Sequence, residues 1–133
     1  MLYPTSDFGF NAAVIGTGAA GFSNPRGLAL SPTGSLFVAT ANSNRVLRFD
    51  NAATLPNTQP NASAVLGQLD FTGTGPGISA TQMNSPTGLF VTPEGSLWVC
   101  DRNNHRILRF DTASTLPSVG RCESRGGTSE FHH

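Results

Sequence analysis

The sequence contains no lysine, and its eight arginines are balanced by eight acidic residues. Only 12% of the 133 residues are charged, and the formal net charge is zero. That charged fraction is about half of the usual one. Nucleic-acid-binding domains normally carry a basic excess or a basic stripe. The composition therefore argues against nucleic acid as a partner.

Long hydrophobic runs are also missing. No stretch approaches the roughly 18 apolar residues of a membrane span, and the first ten residues lack the basic and apolar segments of a signal peptide. We expect no membrane insertion and no leader in this sequence, while export within a longer parent protein stays open. Two cysteines are too few for a disulfide framework. Cys100 lies in an apolar run and is expected to be buried.

Common catalytic and metal-binding motifs are absent as well. The sequence has no Cys-x-x-Cys, Walker, His-Glu-x-x-His or Gly-x-Ser-x-Gly pattern. We therefore predict no catalytic residue, no metal ligand and no cofactor. The Gly-rich stretch 72–79 lacks a lysine and a following helix, so it predicts a flexible loop and not a phosphate site. The ending "GGTSEFHH" resembles tag sequence, so His132 and His133 are left aside.

What the chain does contain is an internal repeat. Residues 24–56 and 85–117 align without a gap at a spacing of 61, and 18 of the 33 aligned positions are identical. Each copy has three short apolar segments separated by turn residues, which predicts three antiparallel strands. Apolar residues fill both alternating faces of the middle segment, "SLFVA" and "SLWVC". Both faces of each sheet must therefore be covered.

A fourth strand is predicted outside the repeat. "SAVLGQLD" (63–70) follows the first copy, whereas its counterpart "NAAVIGTG" (11–18) precedes that copy. Four-stranded sheets that repeat radially with both faces buried are β-propeller blades. We predict an all-β chain with two four-stranded blades. The predicted segments are a lead-in (1–10), a displaced outer strand (11–18), blade 1 (19–70), a long loop (71–84), a three-stranded blade 2 (85–117) and a tail (118–133).

The repeated stretches "NPRGLALSPTGSLFVATANSNRVLRFD" and "SPTGLFVTPEGSLWVCDRNNHRILRFD" resemble the NHL-repeat family of β-propellers. They share its Pro-x-Gly opening and its Asp-x-x-Asn-x-Arg-Ile block. "AVLGQLDFTG" is similar to the spacer of bacterial NHL-like arrays. The first copy departs from the pattern, because Thr40 replaces the motif Asp101. The spacing of 61 also exceeds the usual 40–45 or so per blade.

Two blades alone would expose apolar sheet faces. The chain is therefore expected to be a fragment of a longer array or to complete a closed ring with copies of itself. The resemblance implies six blades and hence a homotrimer, while the physical argument alone also allows two or four chains. The N-terminal strand of one copy can add to the second blade of a neighbour. The predicted oligomer interface comprises Ala13, Val14, Ile15, Ile107, Leu108 and Phe110.

Charged residues at the strand ends are predicted to be mainly structural. Asp101 and Arg106 should form an ion pair across a turn, whereas Arg45, which lacks the matching aspartate, should bind a backbone carbonyl or another blade. Arg48 and Arg109 are predicted to extend over the sheet edges or to reach Asp50 and Asp111, and not to bind a ligand. His105 is predicted to be a turn residue, because Asn44 takes its place in the first copy. The alternative is a ring of three histidines that binds an anion or a metal.

The long loop and the turn at 101–106 are expected at the same end of the blades, where function in β-scaffolds usually lies. The predicted ligand-binding candidates are Asp101, Arg102, His105, Asp70 and Phe71. We predict a non-enzymatic binding or scaffold module whose partners are copies of itself and a protein, peptide or glycan. The alternative, which the resemblance allows, is a metal-assisted lyase or lactonase with its site at the ring mouth.

Overall fold

The computed structural model describes residues 21–55 and 60–116, and these residues form two antiparallel sheets. In each sheet a short 3₁₀ turn connects the second strand to the third, and another follows the third strand. Within these ranges no helix is long and apolar enough to span a membrane. Blade 1 contains β1 (Pro25–Leu30), β2 (Leu36–Thr40), β3 (Arg45–Phe49) and β4 (Ala64–Leu66). Blade 2 contains β5 (Pro86–Val91), β6 (Leu97–Asp101) and β7 (Arg106–Phe110). The prediction of an all-β chain is confirmed.

Each sheet is a simple meander, with the order β1-β2-β3-β4 in blade 1 and β5-β6-β7 in blade 2. The second and third strands pair in the same register in both sheets. Leu36 lies opposite Phe49 in blade 1, and Leu97 lies opposite Phe110 in blade 2. The three strands predicted for each repeat are therefore present. The predicted outer strand 11–18, with Ala13, Val14 and Ile15 of the predicted interface, lies outside the described residues.

The turns between the first two strands of each blade need a glycine. Gly34 has a φ of 92° and Gly95 a φ of 94°, a backbone region that other residues rarely adopt. The amide of Gly34 donates to the carbonyl of Ser31, and the amide of Gly95 donates to that of Thr92. The predicted "SPTG" and "TPEG" turns are thus confirmed.

The main hydrophobic core lies between the two blades. Blade 1 contributes the side chains on one face of its sheet, and blade 2 contributes those on the facing side. The buried members of this inter-blade core are Phe37, Ala39, Val46, Leu66, Met83, Leu97, Val99, Leu108, Phe110 and Ala113. A second cluster on the opposite face of blade 1 contains Val38, Leu47, Phe49 and Val65. Both sides of the middle strand of blade 1 are therefore covered, as its apolar sequence predicts, whereas Leu28 and Leu30 of β1 stay exposed on the side away from blade 2.

The three predicted interface residues of β7 have different surroundings. Leu108 and Phe110 are buried in the inter-blade core, so their side chains are packed against blade 1. Ile107 points to the other face and is exposed. Among the described residues no strand pairs with the outer edge of β7. The backbone of that edge, together with Ile107, is the part of β7 that can still meet a neighbour.

The innermost strands of the two blades, β1 and β5, pack closely against each other. A Cβ atom added at Gly27 would overlap the carbonyl oxygen of Thr87, which belongs to the backbone and cannot rotate away. Gly27→Ala is therefore expected to force the blades apart and to lower the free energy of unfolding by about 1–3 kcal/mol, as overpacking usually does. Urea unfolding measures this change.

Gly75→Ala is the matched control for this substitution, because a Cβ atom there has no neighbour within 4 Å. Its unfolding midpoint should stay near that of the unchanged protein. Equal midpoints for the two variants would show that β1 and β5 are not in close contact in solution.

Candidate functional site

The long loop (here residues 68–84) and the turn at 101–106 meet at one end of the blades, which we call the loop face. Asn104 donates from Nδ2 to the carbonyl of Gly77 at 2.6 Å. Arg106 donates to three further loop carbonyls: those of Ile78 at 2.6 Å, Ser79 at 2.8 Å and Gln82 at 2.8 Å. The predicted placement of both segments at the same end is confirmed by these contacts.

Asp101 is the buried centre of these contacts. Its side chain is 0% exposed, and its Oδ2 lies 2.7 Å from Nε of Arg106. Oδ2 also accepts from Asn104 Nδ2 at 2.8 Å, while Oδ1 accepts from the amide of Asn84 at 2.7 Å. The predicted ion pair is confirmed. Asp101 was also a candidate for ligand binding, but the structure places its carboxylate inside the protein, where it holds the loop.

In blade 1 the equivalent arginine, Arg45, is held without an aspartate. Thr40 takes its place and donates from Oγ1 to the carbonyl of Arg45 at 3.2 Å. The Arg45 guanidinium donates to the carbonyls of Phe71 and Gly21, so the prediction of a backbone partner is confirmed. Burial lowers the pKa of Arg45 below its ordinary value, because desolvation disfavours the charged form.

The remaining third-strand arginines also behave as predicted. Nε of Arg48 lies 2.9 Å from Oδ1 of Asp50, and Nε of Arg109 lies 2.9 Å from Oδ1 of Asp111. Each arginine is thus held beside the aspartate that follows it by two positions.

The backbone of the long loop is held by polar side chains from several directions. Asp70 Oδ1 accepts from the hydroxyl and the amide of Thr72 and from the amide of Gly73. The Thr72 hydroxyl, followed by these two amides, lowers the pKa of the Asp70 carboxyl below its usual value. Gln68 Nε2 donates to the carbonyls of Asn44 at 2.9 Å and Gly75 at 2.7 Å. Asp70 and Gln68 therefore hold the first half of the Gly-rich segment, and Asn104 and Arg106 hold its second half.

Three large apolar side chains of the long loop point into solvent. Leu69 is 74% exposed, Ile78 is 67% exposed and Phe71 is 38% exposed. Of these, only Phe71 was a candidate from the sequence. Leu69 and Ile78 were missed, because the same loop also contains Met83, which is equally apolar but fully buried. Large apolar side chains that are exposed on a loop are candidates for contact with a partner.

Two other candidates, Arg102 and His105, are exposed beside the long loop. His105 has a left-handed backbone with a φ of 55°, and its counterpart Asn44 has a φ of 54°. Both residues end a short 3₁₀ turn. The prediction that His105 is a turn residue is confirmed.

The opposite end of the blades carries a shallow apolar groove of about 220 Å³, lined by Pro32, Thr33, Pro93, Glu94, Gly95, Thr112, Ser114 and Thr115. Within residues 21–55 and 60–116, no three His, Cys, Asp or Glu side chains lie close enough together to hold a metal ion.

Comparison with known proteins supports the repeat and the fold. The sequence model of the NHL repeat matches residues 83–110, which include all of blade 2. A solved β-propeller, the PQQ-bound form of aldose sugar dehydrogenase from Streptomyces coelicolor, has 20% sequence identity and a TM-score of 0.52. The match covers 84% of this chain and 30% of that enzyme. Comparison with curated protein sequences finds no significant match.

At 20% identity this likeness shows the fold alone, and the chain spans 30% of the length of the enzyme that it matches. The spatial order of the strands, the two covered sides of the middle strand of blade 1 and the repeat match agree with one another. The chain therefore has the fold of β-propeller blades, and its residues 83–110 match the NHL repeat.

Proposed function

We propose that this protein is a non-enzymatic binding module that presents its loop face to a protein or peptide, and that three copies assemble into one six-bladed ring. The observation that carries the proposal is the exposure of Leu69, Phe71 and Ile78 on a loop with a firmly held backbone. Binding sites in β-scaffolds usually lie on such loops.

The polar contacts beneath the loop hold its backbone before a partner binds, which favours exposed apolar side chains there as binding groups. Arg45 holds the carbonyl of Phe71, and Arg106 holds the carbonyl of Ile78. Two of the three exposed apolar side chains, those of Phe71 and Ile78, thus belong to residues whose backbone carbonyl is already held. A loop that is ordered before binding loses less conformational entropy when its partner arrives, which raises affinity.

Assembly into a ring would multiply this surface. Three long loops would surround one mouth, together with three copies of Asp70, Arg102 and His105. Weak contacts to a multivalent partner are then strengthened by high effective concentration. The resemblance to six-bladed NHL propellers supports three chains of two blades each.

Substitutions on the loop face should therefore weaken binding. A displayed random-peptide library and a glycan array supply the probes, and the strongest binder is titrated against the variants. Leu69→Ser with Ile78→Ser should weaken binding by about tenfold or more, since apolar anchors dominate such interfaces. Both side chains are exposed, so the fold should be unchanged.

Thr33→Ala with Glu94→Ala is the matched control, because both residues line the groove at the opposite end. This pair should leave binding unchanged. Loss of binding with the control pair and not with the loop pair would contradict the choice of face. Enrichment of a glycan would replace the peptide as the partner, and a stoichiometric metal in the purified ring would favour the metal-assisted enzyme.

A further inference from the structure

The charged side chains of the described residues are divided unevenly between the two ends of the blades. The end that forms the loop face carries four arginines and two aspartates: Arg26, Arg45, Arg102, Arg106, Asp70 and Asp101. The opposite end, with the shallow groove, carries two arginines and three acidic residues: Arg48, Arg109, Asp50, Glu94 and Asp111. The loop-face end therefore has an excess of positive charge, and the opposite end has an excess of negative charge.

The strand pairing places two exposed arginines at the loop-face end. Pro25, the neighbour of Arg26 in β1, lies opposite Thr40 at the end of β2. The next strand begins at Arg45, which donates to a carbonyl of the long loop. Arg102 follows the end of β6, in the turn that contacts the same loop. Both Arg26 and Arg102 are exposed to solvent.

The two aspartates at this end leave most of the positive charge without a partner. Asp101 is buried, and its carboxylate already faces Arg106. Asp70 is exposed and uses Oδ1 to accept three hydrogen bonds within its own turn. Among the described residues no carboxylate lies within ion-pair distance of the remaining arginines of this end, which are Arg26, Arg45 and Arg102.

Arg45 adds a positive charge beneath the surface. It is only 5% exposed, and within the described part of the chain its Nε has no hydrogen-bond partner. In blade 2 the same atom of Arg106 faces Asp101 at 2.7 Å, whereas Thr40 replaces the aspartate in blade 1. A buried charge is screened by salt much less than an exposed one. The field of Arg45 therefore favours negative charge on the adjoining loop face.

We propose that the partner of the loop face is an acidic peptide segment, in which aspartate or glutamate residues flank large apolar ones. The inference rests on the proposed function and names the chemistry of the partner. Apolar side chains of the segment would pack on Leu69, Phe71 and Ile78, while its carboxylates would pair with Arg26 and Arg102. A guanidinium can bind a carboxylate through two parallel hydrogen bonds, which fixes its position and its orientation.

The small number of exposed arginines favours carboxylates over a nucleic acid. Domains that bind a nucleic-acid backbone normally carry a basic patch or stripe. This chain has no lysine and a formal net charge of zero, and the end of the blades away from the loop face is negative. The two exposed guanidiniums match a short segment that carries a few carboxylates.

Peptide selection tests the chemistry of the partner directly. The binders that a displayed random-peptide library yields on the unchanged protein should be enriched in aspartate and glutamate beside apolar residues. Replacement of all acidic residues of the strongest binder by their amides should raise its dissociation constant by about tenfold at low ionic strength. The difference should shrink at about 0.3 M salt, because exposed ion pairs are screened.

The double variant Arg26→Gln with Arg102→Gln assigns this effect to the loop face. Both side chains are exposed and lack an ion pair among the described residues, so circular dichroism should show an unchanged fold. The variant should bind the acidic peptide about five- to tenfold more weakly and its amide version almost equally well. Glu94→Gln is the matched control, because it removes a charge at the opposite end, and it should weaken neither peptide.

A second pair of variants isolates the buried charge. Thr40→Asp copies blade 2 and places a carboxylate beside Arg45, whereas Thr40→Asn places a neutral side chain of the same size there. Thr40→Asp should bind the acidic peptide about twofold or more weakly than Thr40→Asn does, because the positive field is reduced. Equal affinities of the two variants would remove Arg45 from the inference.

Other results would overturn the inference. Binders without acidic residues that still depend on Leu69 and Ile78 would keep the loop face as a binding site and remove the acidic partner. An equal loss of the acidic and the amide peptide in the arginine variant would show that charge pairing plays no part. Tighter binding of a single-stranded oligonucleotide would replace the peptide by a nucleic acid. If no peptide were enriched, the proposed function and this inference would both fail.

Discussion

Asp101→Ala is expected to lower the free energy of unfolding by about 3 kcal/mol or more, as loss of one partner from a buried ion pair usually does. The side chain of Arg106 is only 10% exposed, so its charge would stay in the protein without the carboxylate. The amide of Asn84 and the side chain of Asn104 would lose their acceptors as well. Chemical unfolding followed by tryptophan fluorescence measures the change.

The repeat supplies a graded variant and a control for this experiment. Asp101→Thr copies blade 1, where Arg45 is held by carbonyls alone, so its loss should be smaller than that of Asp101→Ala. Glu94→Ala removes an exposed carboxylate and should leave the midpoint nearly unchanged. If Asp101→Ala were as mild as Glu94→Ala, the buried ion pair of Asp101 with Arg106 would not stabilise the fold.

The strands and their order could be predicted from the sequence because the controlling signals are local and occur twice. Apolar residues on both faces of the middle strand require coverage from two sides, and the structure provides it with Phe37 on one face and Val38 on the other. The pairing of Asp101 with Arg106 also crosses a single turn, so a short spacing sufficed to predict it.

The features that sequence reasoning missed depend on contacts between distant parts of the chain. The expectation that Cys100 is buried was wrong, because its side chain is exposed. Its strand is as apolar as the counterpart in blade 1, but burial of that face depends on whether another blade covers it. The hydrogen bonds of Gln68 to the carbonyls of Asn44 and Gly75 follow no periodic pattern. Leu69 and Ile78 were missed because no local rule separates an apolar loop residue that is buried from one that is presented.

Removal of residues 1–18 is expected to destroy any defined oligomer. In blade 1, β3 pairs with β4 through Val46 with Leu66, Leu47 with Val65 and Arg48 with Ala64. If β7 pairs with the N-terminal strand of a neighbouring copy in the same register, Leu108 would lie opposite Val14. Ile107 would then lie opposite Ile15, and Arg109 opposite Ala13. Without that strand, β7 presents an open edge, and open edges promote irregular association.

The intact protein should scatter light as three chains of 13.9 kDa, which give about 42 kDa. Deletion of residues 1–10 alone removes the lead-in and should keep this mass, whereas deletion of residues 1–18 should give monomers and aggregates. Val14→Pro should act like the longer deletion, because proline removes the backbone donor that a paired strand needs. A regular trimer after the longer deletion would exclude the strand exchange.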